Sequence, residues 1–564
     1  GSSLLGSSKL SPKLHVLGTR VRGVPSDPHV VSMPPLDSRQ KQLVALGAAG
    51  LGTIALSRLM LQWLRPRGPG QEVPLAPGLR PLLGHILALM RCGKDNIKLA
   101  SGRFALACQE EAGLDIMRLK IPAMSISMIS VADPDMAEEV MRGDPQKFTK
   151  DFRSIGAYVN LMFEVFGESG LFFCATDDPR WGIAHRILKA PFSIKGMKGM
   201  FPAMRDQADK LVEALKREVG YGGVTHIDKW VTKMAFETIA MCGLGTPFGS
   251  FDDDQEHPFI TALNRVMVTM RSVALVPRVF HLFMRGTLAK LRADAAVIRG
   301  TCMDVVQGRR AHETASVREQ ADIMDMMLNE KDPQTGQAMT ETMIIDNVLT
   351  FLFAGQDSTA AAMATCLCFL TCHPEAKAKL LQEIDEVVGA GELEWEHLSK
   401  LTYLDWCIKE TLRLVPPANG IMRQASGDQL LGGKWRIPDG TAVVVSIMAL
   451  HYDKRVWGED AAVFKPERWE AGPPHKFAYM PFASGPRACI GREFTVVEQK
   501  ITMVKLLQHF DLRRPAEVKP EEGYHTVKRE DLMPPLRFDM DVEFKPTSAF
   551  TGVYSAFELL KRSG

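Results

Sequence analysis

The chain has 564 residues, 46% hydrophobic and 24% charged, with a formal net charge of +2. That balance excludes a disordered, collagenous or multi-span membrane protein, and a charge so near zero gives no argument for nucleic-acid binding. Ten cysteines scattered over this length do not form a disulfide framework; most sit in apolar company, as reduced buried thiols do.

Residues 1–42 are Ser-rich and lack hydrophobic periodicity. Lys9, Lys13, Arg20, Arg22, Arg39 and Lys41 stand against only Asp27 and Asp37. This is the composition of an organellar transit segment, and equally of a disordered tail. The chain begins with Gly1, which reads as a processed or trimmed end. Residues 43–65 contain the apolar run Leu43 to Leu64. As a helix that run would cover roughly 33 Å, enough for a hydrocarbon core. Arg58 lies near one end and can snorkel, while Trp63, Arg65 and Arg67 mark a boundary. A membrane anchor is expected there. Residues 66–81, rich in Pro and Gly, are expected to form a stiff hinge.

From residue 82 to 546 no linker, repeat or low-complexity tract interrupts the chain, so one large domain is expected, followed by an extension at 547–564. Met200 to Val219 and Glu375 to Val388 carry apolar residues at helical spacing, the second just after Pro374. Met343 to Leu370 is too long an apolar stretch for a strand, whereas Ala442 to Ile447 reads as one. The fold class is therefore mainly α with minor β.

The most informative stretch is Pro481 to Gly491, PFASGPRACIG. Cys489 lies among the turn formers Gly485, Pro486 and Gly491, with Arg487 two residues before it. Glycines allow unusual dihedrals and close backbone approach. A helical pattern, Phe494 to Leu507, follows and turns its positive end toward the sulfur. The residues predict a supported thiolate, either a nucleophile or a metal ligand. Cys366, Cys368 and Cys372 lie in an apolar helix with no zinc spacing. GAAGLG at Gly47 to Gly52 lies in the anchor and is not a dinucleotide loop.

Phe482, Gly485, Arg487, Cys489 and Gly491 reproduce the haem-binding signature F-x-x-G-x-R-x-C-x-G, and the chain resembles the cytochrome P-450 superfamily. Glu410 and Arg413 match its E-x-x-R pair, which alone would be an ordinary helical ion pair. Phe464 to Trp469 matches the segment whose arginine, here Arg468, locks onto that pair. The resemblance covers about Val73 to Lys545. Within the superfamily the chain looks most like fatty-acid hydroxylases fused to a diflavin reductase, through Gly170 to Phe172, Trp181 to Phe192, His257 to Phe259, and His451 and Asp453 followed by Trp457-Gly458. Fewer than 20 residues follow the matched domain, so a separate flavin reductase or ferredoxin is expected to donate electrons.

The resemblance implies haem b, with Cys489 as the proximal iron ligand. It implies Arg487, Trp181, His185, Lys150 and Arg423 as partners of the haem propionates. On the long helix, Ala354 to Thr359 match an element that crosses the haem and can kink at Gly355. Asp357 takes the acid position, with Ser358 and Thr359 beside it. Ser358 stands where the family usually has Thr, which keeps the hydroxyl but loses the methyl that fixes its rotamer. The resemblance puts Phe172 over the haem, Leu352, Phe353 and Ala354 along the pocket wall, and Met124 and Met128 where relatives hold a carboxylate. Methionines there favour a neutral or membrane-delivered lipid. The expected activity is O2-dependent hydroxylation or epoxidation of an aliphatic or lipid substrate, in a protein anchored in an organelle or the endoplasmic reticulum. The alternatives are an O2-independent lipid-hydroperoxide isomerase or dehydratase, and a non-enzymatic haem subunit of an organellar membrane assembly.

Overall fold

Two helix signals read from the sequence are satisfied as expected. Pro374 opens the helix Pro374–Val387, and the amphipathic stretch near Met200 lies in the helix Ile194–Glu218. The long apolar stretch is one helix of 32 residues, Glu341–Cys372, capped by the Thr340 side chain, which accepts from Met343 N–H. It is buried nearly all round over its first half, as a helix threaded through a core must be. These observations come from a computed structural model that describes residues 70–80, 84–92, 100–121, 126–151, 157–219, 223–252, 257–274, 281, 283–312, 322–513, 526–527 and 538–543. The expected leader, anchor and C-terminal extension lie outside the described residues. Among those described, no helix is long and apolar enough to cross a membrane.

Five helices matter for the site: α1 (Pro179–Leu188), α2 (Ile227–Leu244), α3 (Glu341–Cys372), α4 (Thr402–Leu414) and α5 (Arg492–His509). Helix α3 runs unbroken through Gly355. The glycine there serves packing. A Cβ there would stand 3.0 Å from Ile239 Cγ1 of α2, so the missing side chain lets the two helices approach.

The strands are few. The largest sheet orders Ile116–Ile121, Ile126–Val131, Ala442–Ser446, Gly420–Ala425 and Phe148–Thr149. Arg423 stands opposite Val443 in the antiparallel pair of Gly420–Ala425 with Ala442–Ser446. A smaller sheet corrects the expected hinge. Gln71–Glu72 pairs in parallel with Trp435–Ile437, Ala76 N–H donates to Arg118 O at 3.0 Å, and Val73 and Ala76 are buried. Pro and Gly prevent a helix here but not extended pairing at an edge. The described part of that segment belongs to the body.

A buried ion pair holds the elements that carry the site. Glu410 and Arg413, one turn apart on α4, are both fully buried. Arg413 Nε and Nη2 donate to the two Glu410 carboxylate oxygens at 2.9 and 2.8 Å. Arg468 Nε, Trp469 Nε1 and Lys465 N–H add 2.8, 3.1 and 3.0 Å bonds to the same carboxylate. Arg413 Nη1 donates to His451 O and Ala461 O at 2.8 and 2.6 Å. The expected triad of Glu410, Arg413 and Arg468 is thus present, with Trp469 as a further partner. Removing one member leaves a buried charge short of partners, at a cost of about 3–5 kcal/mol. Glu410→Gln should therefore lower the denaturant midpoint markedly, while Lys465→Ala, which keeps the backbone N–H, should leave it near wild type; chemical denaturation of both variants checks this.

Candidate haem-thiolate site

Cys489 sits on a loop folded back on itself. Its N–H donates to Phe482 O at 2.9 Å, Ala483 N–H to Met480 O at 3.1 Å, and Ala488 N–H to Gly485 O at 3.0 Å. Gly485 has φ +73°, and a Cβ on it would lie 2.0 Å from Met141 O in the helix Pro134–Arg142. Only glycine fits there. Gly491, with φ −84°, needs no such freedom; it leaves room beside the sulfur, where a Cβ would touch Cys489 Sγ and Phe192 Cε1 at 4.0 Å. The other left-handed residue of the loop is Ala483, φ 58°, which nothing in the sequence signalled. Phe482 packs on the core, under the Arg492 guanidinium.

Among the ten cysteines Cys489 alone is exposed. It lies just before the N-terminus of α5, and Gly491 N–H is directed at its sulfur. Burial of the sulfur's protein-facing side nevertheless raises its pKa above the ordinary thiol value, against the pull of Gly491 N–H, Arg492 and Lys150. A self-activated nucleophile needs a depressed pKa. A metal ligand must lose its proton too, but there the bound cation itself stabilises the thiolate.

Beside the loop the fold gathers positive and N–H groups. Arg487 Nη2 donates to Leu171 O and Cys174 O at 3.1 and 2.8 Å, and its guanidinium lies 4.6 Å from the Trp181 ring centre. Burial, then Arg423, lower the Arg487 pKa to about 9. Burial lowers Arg423 to about 10. Lys150 is pushed well below the lysine range by burial, Arg487 and Arg423. His185, stacked on Trp181 at 5.0 Å, is shifted down by burial, Lys189, Arg487 and Arg186. Both Trp181 and His185 come from α1, whose first turn is set by Pro179 and the Asp178 cap. The Arg186 fork on Asp332, at 2.6 and 2.7 Å, pins that helix.

On α3, Asp357 is 9% exposed and Thr359 is 2% exposed. Ser358 Oγ donates back to Ala354 O at 2.9 Å, the local bond that a helical serine favours. Thr359 Oγ1 meets Thr495 Oγ1 of α5 at 2.8 Å, so its hydroxyl serves the seam with α5 rather than the cleft, contrary to expectation. Phe353 and Ala354 are half-buried, but Leu352 is fully buried. One residue is about 100° around a helix, which turns Leu352 into the core and away from the wall assigned to it. Phe172 is 43% exposed and meets Phe353 edge-on, ring centres 6.3 Å apart. Met128 is half-buried on its strand; Met124 lies outside the described residues.

Comparison with known proteins agrees with this geometry. The cytochrome P-450 family model matches residues 74–542. The chain belongs to the cytochrome P-450 family. That family membership gives it haem b as cofactor. It is 32% identical over 478 residues to a self-sufficient cytochrome P-450 monooxygenase of Phanerodontia chrysosporium, covering 81% of this chain and 43% of that protein. To a bifunctional cytochrome P-450/NADPH–P-450 reductase of Bacillus subtilis it is 32% identical over 425 residues, 73% of this chain and 39% of that protein. The chain thus spans about two-fifths of the length of these curated relatives. The crystal structure of the cytochrome P-450DA haem domain superposes with a TM-score of 0.71 at 28% identity, covering 86% of this chain and all of that one.

The residues present fit the cofactor. Arg487 Nη1 is buried and makes no hydrogen bond, and with Arg423 and Lys150 nearby the site calls for anionic oxygen, which the haem carboxylates supply. Cys489 would bind the iron, and Arg487, Arg423, Lys150, Trp181 and His185 would hold the carboxylates. Sequence reasoning missed how His451 serves this loop. Its Nδ1–H donates to Arg413 O at 2.8 Å and its Nε2 accepts from Met480 N–H at 2.9 Å, so it joins the buried ion pair to the residue before Pro481. Only the match around His451 and Asp453 marked it. Burial lowers its pKa from 6.5 to about 3. In the unfolded chain His451 charges below pH 6.5 while the folded one stays neutral. Stability from this group is therefore full above pH 6.5 and lost as pH falls toward 3. His451→Gln should be less stable at neutral pH and show a flatter acid limb in pH-dependent denaturation; an unchanged limb would contradict the assignment.

Proposed function

We propose that this chain is the haem-bearing part of a monooxygenase that inserts oxygen into an aliphatic or lipid substrate. The observation that carries the reading is the single exposed cysteine beside a cluster of buried cationic groups, one with an unbonded donor. Haem held by a cysteine thiolate supplies O2 activation when given electrons. The protein's share is orientation, exclusion of water and protons. Cys489 binds the iron, supported by Gly491 N–H. Arg487, Arg423 and Lys150 fix the carboxylate edge, assisted by Trp181 and His185. Asp357 would supply a proton at the site, and Ser358 would pass it on once its hydroxyl swings from Ala354 O. Phe172, Phe353 and Ala354 form an apolar wall that keeps water out.

The substrate class rests on that wall and on Met128, whose thioether offers no charge to a carboxylate. A neutral or membrane-delivered lipid is favoured over a free fatty acid. Electrons come from a flavin reductase or ferredoxin, on a separate chain in our reading, although the relatives above carry a reductase in the same polypeptide. The apolar run Leu43 to Leu64 supports a membrane anchor, and the basic leader supports an organelle, with the endoplasmic reticulum as the other address.

The test is haem-spin-state titration and turnover with fatty alcohols, acyl esters and free fatty acids of matched length, with O2 and a reductase. Neutral lipids should shift the spin state and give oxygenated product. Conversion of a lipid hydroperoxide without reductant, with no O2-dependent product, would overturn the reading in favour of an isomerase. Asp357→Asn should lower product formation by about 10²-fold, the low end for a lost general acid, while reductant oxidation continues; an unchanged ratio of product to reductant would remove Asp357 from proton delivery.

A further inference from the structure

The turn that carries Phe172 is held from two sides. From α3, Asp346 Oδ2 accepts from Ser169 N–H and Oγ–H at 3.1 and 2.6 Å, and Asn347 Oδ1 accepts from Leu171 N–H at 3.0 Å. Gly170 lies so close to α3 that a Cβ would stand 2.4 Å from Thr350 Oγ1. From the Cys loop, Arg487 Nη2 takes the carbonyls on either side of Phe172, those of Leu171 and Cys174. Phe173 and Cys174 N–H close the turn onto Gly170 O at 3.1 and 2.9 Å. A second group of the cationic cluster also reaches the turn, since Lys150 Nζ lies 4.2 Å from the centre of the Phe172 ring.

The guanidinium thus has two ends with different work. Nη2 is spent on the turn, and Nη1 is buried without a hydrogen bond. A planar fork cannot move one end without the other. We infer that Arg487 clamps the Ser169–Cys174 turn to the anion site, so that a carboxylate bound at Nη1 fixes where Phe172 stands. Arg487 is then a positioning residue for the substrate wall as well as a cofactor contact. Cofactor loading and the shape of the pocket become one equilibrium, linked through two backbone carbonyls. The inference rests on the reading that Nη1 meets a haem carboxylate.

Amide hydrogen exchange tests it without turnover. The full chain is compared as apoprotein and after reconstitution with haem, following the peptide from residue 167 to residue 178. In the wild type, haem should slow exchange at Leu171, Phe173 and Cys174 by at least about 5-fold, the low end of ordinary coupling between sites. Arg487→Lys, at matched haem content, keeps the charge but loses the fork, and the slowing should fall below ~2-fold. Full slowing in that variant, or none in the wild type, overturns the clamp. If Arg487→Lys takes up no haem, Asn347→Ala decides. There Leu171 should exchange fast in both forms while Phe173 and Cys174 keep their haem-dependent slowing; loss at all three shows general loosening and overturns it. A wild-type chain that binds no haem would remove the underlying reading, and the clamp with it.

Discussion

The structure depends on a charge pair placed where charges are expensive. Burying Glu410 and Arg413 removes two ions from water, and their mutual attraction alone does not offset that. The offset comes from completeness. The carboxylate receives Arg413, Arg468, Trp469 and the Lys465 N–H, and the guanidinium reaches carbonyls of His451, Ala461 and Val463. Three stretches far apart in sequence, α4, the segment around His451 and the segment 460–469, are thereby fixed to one point. His451 carries the constraint onward to Met480, where the Cys loop begins. The loop's own hydrogen bonds and Gly485 at Met141 O do the rest.

The site reverses that logic. At Glu410 opposite charges are matched. Around Arg487 like charges are gathered: Arg423 lowers the affinity of Arg487 for its proton, and both lower that of Lys150. Such a cluster is unfavourable by itself and becomes favourable when an anion enters. The Cys489 thiol is different: burial disfavours its ionised form, and a bound metal cation would have to offset that cost. The cationic cluster raises the cost of the apoprotein and favours the anion-loaded one, so cofactor binding contributes to stability by mass action.

Much of this was legible in the sequence, for identifiable reasons. The spacing of Phe482, Gly485, Arg487, Cys489 and Gly491 is a local pattern, and local patterns survive without coordinates. Helix α3 showed in its length and apolarity, and the strand at Ala442 in its β-branched run. What failed depended on direction. Leu352 and Phe353 are neighbours, but one is fully buried and the other half-buried beside Phe172. Thr359 carries a hydroxyl beside the acid position, yet faces α5. Gly355 was matched for a kink, and its role in admitting Ile239 could not be read from the sequence. Residues 66–81 lack helical pattern and were expected to hang as a hinge, but in the described part, 70–80, extended backbone pairs with an edge whatever its composition. His451 and Trp469 entered only through neighbouring matches, because their roles are hydrogen bonds across tens of residues.

The central claim is that Cys489 binds haem iron as a thiolate within a carboxylate-holding cluster. The most direct measurement is the absorption spectrum of the reduced carbon monoxide complex, wild type beside Cys489→His. The thiolate-type spectrum is expected in the wild type, and retained haem without that spectrum in the variant. A thiolate-type spectrum that persists in Cys489→His, or is absent from the haem-loaded wild type, would contradict it.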